Sequence, residues 1–305
     1  MKLVTFLTAG STDVAPSCGL LTEAGVHDLS ARFGATLASV LAEPEALRRL
    51  ADSCLPTRPD HALADLHLRP PFGPDTKIVC VGLNYRAHIA ETGRSDPGMP
   101  TLFIRWPDSH VAHGMALVRP AASERFDFEG KIAVLIGRGG RHIPAAEALR
   151  HVGGYSCYND GSIRDWQRHT SQFTPGKNFA SSAAIGPWIV TADEIADPAA
   201  LSLTTRLNGT VMQHATVSDM IHGIADLIAY ISIFTPLRPG DVIATGTPEG
   251  VGAYRTPPAW LRPGDRIEVD VSGIGTLVNT VVAEAGLPGQ LPAAGADSET
   301  VAFRD

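Results

Sequence analysis

Three charged residues at alternate positions, Asp127, Glu129 and Lys131, lead into the apolar run Ile132 to Ile136, which Gly137 closes. Such a run predicts a buried strand. At the two-residue period of a strand the three charges share one face, and Phe126, Phe128 and Gly130 take the other. Two acids and a base carried into a core cost free energy unless something neutralises or uses them. An exposed strand end with charges paired across the surface explains this stretch equally well. Upstream, His88 and Glu91 stand at i and i+3, which puts both side chains on one helix face. A carboxylate beside an imidazole orients the ring and raises its proton affinity, the arrangement of a general base. The same pair on a helix surface is also an ordinary polar contact.

These side chains need elements to hold them. Ile78 to Val81 predicts a buried strand, Gly82 a tight turn, and Asn84 the cap of a short helix carrying His88 and Glu91. Thr92 to Pro100 has the Gly- and Pro-rich composition of a mobile loop or lid. Further strands are expected at Lys2 to Thr8, Thr101 to Ile104, Gly153 to Asp160, Ile185 to Thr191 and Leu277 to Val282. Gly19 to Leu29 reads as a hairpin-like return and Thr36 to Leu50 as a helix. Asn208-Gly209 between two strand-like runs predicts a hairpin. Ser218-Asp219 is expected to cap a helix whose apolar stripe runs from Met220 to Phe234. Gly176-Lys177 falls in a turn. Leu-Arg-Pro-Gly-Asp occurs at 237–241 and again at 261–265, each time as a turn feeding a strand. Between the copies, Thr245 to Gly252 is a Gly-rich loop whose backbone N–H groups suit a carboxylate or enolate oxygen. It lacks the Gly-Lys-Ser/Thr of a phosphate-binding loop, which disfavours a nucleotide.

The Pro-rich segment from Pro56 to Pro74 reads as a linker. It divides a small N-terminal domain, 1–70, from a main domain, 75–285, with an irregular tail over 286–305. Lys+Arg 25 against Asp+Glu 32 gives a net charge of −7, so no nucleic-acid partner is expected. No stretch approaches the ~20 apolar residues of a membrane span, and no membrane partner is expected. The start is too short in apolar residues for a signal peptide. Cys18, Cys54, Cys80 and Cys157 form no paired motif, which fits free thiols and a cytoplasmic protein.

Taken in order, the motifs resemble the fumarylacetoacetate hydrolase family over most of residues 75 to 285. They are Gly-Leu-Asn-Tyr-Arg-x-His-x-x-Glu (82–91), Asp-Phe-Glu-x-x-Ile-Ala-Val-x-Ile-Gly (127–137), Tyr-x-x-Tyr-Asn-Asp (155–160), Arg-Asp-x-Gln (164–167), Gly-Lys-x-Phe (176–179) and Thr-Gly-Thr-Pro-x-Gly-Val-Gly (245–252). The resemblance implies an α+β, mainly β fold, a mixed-sheet β-sandwich roll, in a homodimer. It implies a small-molecule 1,3-dicarbonyl or oxo-acid substrate that undergoes C–C bond hydrolysis, decarboxylation or enol tautomerisation. Glu129 and Asp160 match metal ligands for Mg²⁺ or Mn²⁺, and His88 with Glu91 the proton-transfer pair. Lys177 matches a substrate-facing lysine, and Arg105, Gln167, Thr247 and Tyr85 the substrate-binding set.

One position departs at the centre. The second acidic ligand should stand at 131, where this chain has Lys. A hard dication needs several anionic oxygens, and an ammonium among them repels it. Arg105 also replaces the usual Lys. Three readings follow. The first is an active enzyme with no tightly bound cofactor, in which Lys131 is a built-in cation holding a substrate oxygen. The second is a non-catalytic binding protein that kept the fold. The third is an ordinary metal enzyme that swings Lys131 aside. A Schiff base on Lys131 is disfavoured, because adjacent carboxylates keep the amine protonated.

Overall fold

The protein was described from a computed structural model covering residues 1–8 and 15–284. The run Ile132 to Ile136 lies in the strand Gly130–Ile136, buried along its whole length. Both faces of this strand are covered, which explains a continuous rather than alternating apolar sequence. Ile132, Val134 and Ile136 enter one core, and Ala133 and Leu135 enter another.

The strand sits inside an eleven-stranded mixed sheet. It runs antiparallel to Val152–Asn159 on one side and to Val242–Ala244 on the other. Val242–Ala244 in turn runs parallel to Ile78–Gly82. The start of Gly130–Ile136 and the ends of the other three strands therefore meet at one edge of the sheet. Every loop that carries a candidate residue leaves from that edge. A five-stranded sheet, including Ser202–Leu207, Arg266–Val271 and Gly275–Ala283, packs on one face and shares the larger core. The helices Leu37–Ala42 and Pro44–Cys54 cover the other face.

The leading residues are joined to this frame. Lys2–Thr8 pairs with Ala183–Thr191, and Ser17–Thr22 with Gly25–Asp28 extends the same sheet. Among the described residues, the strands of the 1–70 segment thus join the main sheet. Within the expected linker, Leu66–Leu68 also pairs with Lys2–Thr8. The expected tail, 286–305, lies outside the described residues. The single helix expected over Thr36 to Leu50 is two, because Pro44 cannot donate to a continuing helix and starts a new one.

Two expected caps are corrected. The helix Arg86–Thr92 has Tyr85 at its N-cap with no side-chain bond, and it stops at Gly93 in the left-handed conformation, φ 66°. Asn84 instead reaches across the molecule. Its amide donates to Thr245 O (2.7 Å) and His222 O (3.0 Å), and its Oδ1 accepts from His222 N (2.9 Å). That clamp, with Ile221 N donating to Asn84 O, keeps 220–222 out of the helix. The long helix therefore begins at Ile224 after Gly223, and Ser218-Asp219 lies in the separate turn Val217–Asp219. Gly246 passes the same clamp at φ +128°, where a Cβ would lie 2.7 Å from Asn84 Cβ.

Candidate functional site

At the sheet edge the charged residues of the central strand meet others from four segments. The strand breaks at 128–129, so Asp127 lies in a short piece, Phe126–Asp127, paired with Ser162–Ile163. Asp127 turns away from the other two charges. Its carboxylate accepts from Gly252 N (2.7 Å), Ala253 N (2.9 Å) and Arg164 Nε (2.7 Å). Glu129 and Lys131 remain neighbours, with Lys131 Nζ 3.3 Å from Glu129 Oε2.

Asp160 completes the cluster from the end of the adjacent strand. Its Oδ2 accepts from Lys131 Nζ at 2.5 Å and Lys177 Nζ at 2.9 Å, and its Oδ1 from Arg105 Nη1 at 2.6 Å. Glu129 takes Lys177 Nζ at 2.9 Å and Arg164 Nη1 at 2.7 Å. The ring of Phe103 lies 5.1 Å from Lys131 Nζ and 4.9 Å from Lys177 Nζ, a cation–π floor under both ammonium groups. The cluster is fully buried, and its charges are the four bases Arg105, Lys131, Arg164 and Lys177 against the three acids Asp127, Glu129 and Asp160. Burial opposes ionisation of Glu129, but Lys177, Arg164 and Lys131 outweigh it and hold the carboxyl at about 2. Asp160 is held well below its ordinary value by Lys131, Lys177 and Arg105, again against its burial. Burial, helped by Lys131 and Arg164, lowers the Lys177 ammonium.

Whether a dication fits can be judged from these donors. Both oxygens of Glu129 and both of Asp160 already accept from cationic groups. Lys131 is not swung aside. Its ammonium is fully buried and donates to Asp160, to Val81 O at 3.0 Å and toward Glu129. Among the described residues no group of three or more His, Cys, Asp and Glu side chains is disposed to hold an ion. The residues present therefore do not fit a divalent metal. Lys131 is fully buried, gives its hydrogen bonds to Asp160 and Val81 O and does not line the cavity, so it stands behind the cavity and not in the expected contact with substrate.

The cavity above the cluster is lined by His88, Glu129, Arg164, Gln167, Lys177 and Thr247, with Arg94 and Arg168 beside them. His88 Nδ1 lies 2.9 Å from Glu91 Oε2. A carboxylate accepts, so Nδ1 carries the proton and Nε2 is left as the base. Glu91 Oε1 accepts from Gly250 N at 2.8 Å, which fixes the carboxylate from its other end. The Gly-rich loop thus spends the amides of 250, 252 and 253 on Glu91 and Asp127, and these are not free for a substrate oxygen as expected. Thr247 Oγ1 accepts from Gln213 Nε2 at 2.9 Å, so its own proton is free to donate into the cavity. Gln167 and Lys177 are held side by side because Gly176 packs on Gln167, where a Cβ would meet its backbone N at 2.3 Å. Gly176-Lys177 closes the one-turn helix Thr174–Lys177 rather than lying in an open turn.

Two expected substrate contacts are elsewhere. Tyr85 packs in the hydrophobic core. Arg105 is walled in behind Asp160, donating also to Gly161 O and Ser182 Oγ. One cavity residue was overlooked. Arg164 bridges Asp127 and Glu129, and its Nη2 is buried without a partner. Its signal lay in the Arg-Asp-x-Gln segment, where i and i+3 put Arg164 and Gln167 on one face.

The hold of Gly250 on the dyad gives a first prediction. Gly250 has φ +93°, and a Cβ there would lie 2.1 Å from Met212 O. Gly250→Ala is expected to displace the loop, free Glu91 and lower kcat by about 10–10²-fold with less effect on KM. Steady-state kinetics on the variant measures this.

The chain is similar to known proteins over most of its length. A family model described as fumarylacetoacetate (FAA) hydrolase C-terminal matches residues 77–282. The chain is 38% identical over 280 residues to human mitochondrial oxaloacetate tautomerase FAHD2A, covering 88% of each chain. A fumarylacetoacetate hydrolase from Exiguobacterium antarcticum superposes with TM-score 0.77 at 33% identity, over 93% of this chain and 100% of that one. Maleylpyruvate hydrolase from Sphingobium sp. SYK-6, solved with manganese(II) and pyruvate, superposes with TM-score 0.78 at 27% identity, with the same coverage.

Proposed function

This chain belongs to the fumarylacetoacetate hydrolase family, and on that premise we propose that it is an oxo-acid enzyme that moves a proton beside a keto group. The reaction is enol–keto tautomerisation of a 2-oxo acid bearing a second carbonyl. The observation that carries this reading is the His88–Glu91 pair on the wall of a cation-lined cavity. The acid end of the substrate lies on Lys177 and on the unpartnered Nη2 of Arg164, with Gln167 and Thr247 beside it. His88 Nε2 removes the proton from the carbon next to the keto group. The charge that develops on the keto oxygen is met by the Lys177 ammonium, fixed in place before the reaction. Glu91 stabilises the imidazolium, which then returns the proton to oxygen. In the opposite direction the steps reverse. Decarboxylation, which releases CO₂, and C–C bond hydrolysis, in which water takes up the departing acyl group, likewise develop enolate charge on the keto oxygen, although on a shorter product. The relatives named for oxaloacetate tautomerase and maleylpyruvate hydrolase activity support an oxo-acid substrate.

Lys131 has a positioning part. Together with Lys177 its ammonium bridges Glu129 and Asp160 and offsets their repulsion in a dry site. By doing so it holds both acids where they grip Lys177. The working form is read as a homodimer, which analytical ultracentrifugation checks.

The test uses freshly dissolved oxaloacetate, whose enol absorbs in the ultraviolet. Chelator-treated protein is expected to speed the decay of that absorbance over the spontaneous rate, with or without added Mg²⁺. No acceleration under either condition, together with intact binding of an oxo acid, would favour the non-catalytic binding protein instead.

A further inference from the structure

The cavity carries cations in two tiers. Lys177 and Arg164 form the floor, both buried, with Arg164 Nη2 left unpartnered. Arg94 and Arg168 stand at the mouth, both exposed, and neither pairs with an acid among the described residues. They are nevertheless held in place. The Arg94 guanidinium lies 5.7 Å from the ring of Phe173, and that ring packs edge-on against Phe103 at 5.8 Å. The Arg168 guanidinium lies 5.6 Å from the ring of Tyr254 and donates to its Oη at 3.2 Å. Tyr254 packs edge-on against His88 at 6.4 Å. Stacking on an aromatic face fixes a guanidinium without neutralising its charge. The two arginines are thereby tied to the floor on one wall and to the base on the other. Glu129 is the acid among the cavity-lining residues, and Lys177 and Arg164 already neutralise it.

A ligand with one carboxylate answers only the floor. A ligand with a carboxylate at each end answers both tiers, with the reacting carbon between them and beside His88. We propose that Arg94 and Arg168 bind a second, distal carboxylate, so that this site selects dicarboxylic over monocarboxylic 2-oxo acids. The proposal rests on the oxo-acid reading above and adds the residues that set substrate choice. Arg94 belongs to the exposed 93–98 loop after the dyad helix. That loop therefore supplies a substrate contact.

The experiment compares a four-carbon pair. Oxaloacetate and 2-oxobutyrate differ in that the first ends in a carboxylate and the second in a methyl group. KM and kcat for oxaloacetate and the inhibition constant of 2-oxobutyrate are measured for the full chain, Arg94→Gln, Arg168→Gln and the double variant. Each single change is expected to raise KM by about three- to tenfold, and the double change by more than about tenfold. kcat and the inhibition constant of 2-oxobutyrate should stay within about twofold. Both side chains are exposed, so folding is not at stake. An unchanged KM in the double variant would overturn the assignment. So would equal weakening of both compounds, which would mean a general field acting on any anion. If the unaltered chain neither turns over oxaloacetate nor binds 2-oxobutyrate, the oxo-acid reading itself fails and this assignment falls with it. A chain that turns over oxaloacetate while the variants leave KM unmoved overturns the rim alone.

Discussion

Replacing His88 with Ala is expected to slow enol turnover by about 10²–10⁴-fold, the range for loss of a general base, while KM changes little. The base is a single atom, Nε2, because Nδ1 is committed to Glu91. The floor cations that bind the acid end do not touch His88, so ground-state binding should survive its removal. Glu91→Gln provides the paired measurement. The amide oxygen can still accept from Gly250 N, but the NH₂ then faces His88 Nδ1 as a donor, and the side chain carries no charge to stabilise the imidazolium. A smaller loss in kcat, with the oxo acid still bound, is the expected pattern. If His88→Ala keeps kcat within a few-fold of the unaltered chain, the proton moves by another route and the assignment is wrong. Both variants should unfold at temperatures close to the parent, because the dyad lies at the cavity wall rather than in the core.

The parts of this site visible in the sequence are those built from local periodicity. The central strand was readable because both of its faces are buried, which leaves an unbroken apolar run. The dyad was readable because i and i+3 on a short helix make one face, and Gly93 marks where that helix stops. What remained hidden depends on long-range partners. Asn84 has the residue type of a cap, yet its amide is spent on residues 222 and 245. That clamp, and not helix propensity, decides that the later helix starts at Ile224. The loop amides looked free for a ligand because no local pattern could show that Glu91 and Asp127 consume them. Tyr85 shares a motif with His88 but, at the N-cap of the same helix, packs into the core. Arg164 stands in a recognisable motif without a role being evident from it, and Lys131 at a position where the motif has an acid. How many of their donors remain free is set only by the folded cluster.

Lys131→Glu is expected to convert this cluster into a metal site. In the unaltered chain the ammonium supplies one positive charge to Glu129 and Asp160, with contacts of 3.3 and 2.5 Å. The substitution removes that charge and adds a negative one at the same point. Three carboxylates then converge with Lys177 the one ammonium left between Glu129 and Asp160, and the metal-free variant should be destabilised by about 3–5 kcal/mol, as when a buried ion pair loses one partner. A dication cancels the repulsion and gains a third anionic oxygen. Mg²⁺ or Mn²⁺ should therefore raise the unfolding temperature of the variant in a concentration-dependent way, as expected for a ligand that binds only the folded state. The unaltered chain should show no such shift, because an ion would have to displace a lysine that is fully buried and bonded to Asp160 and Val81 O. Lys131→Met separates the two effects. It removes the ammonium without adding a ligand, so it should be destabilised like the Glu variant but not rescued by metal. Calorimetric titration decides the matter. Tight stoichiometric Mg²⁺ binding by the unaltered chain, unchanged by Lys131→Glu, would sink the idea that the ammonium stands in place of an ion.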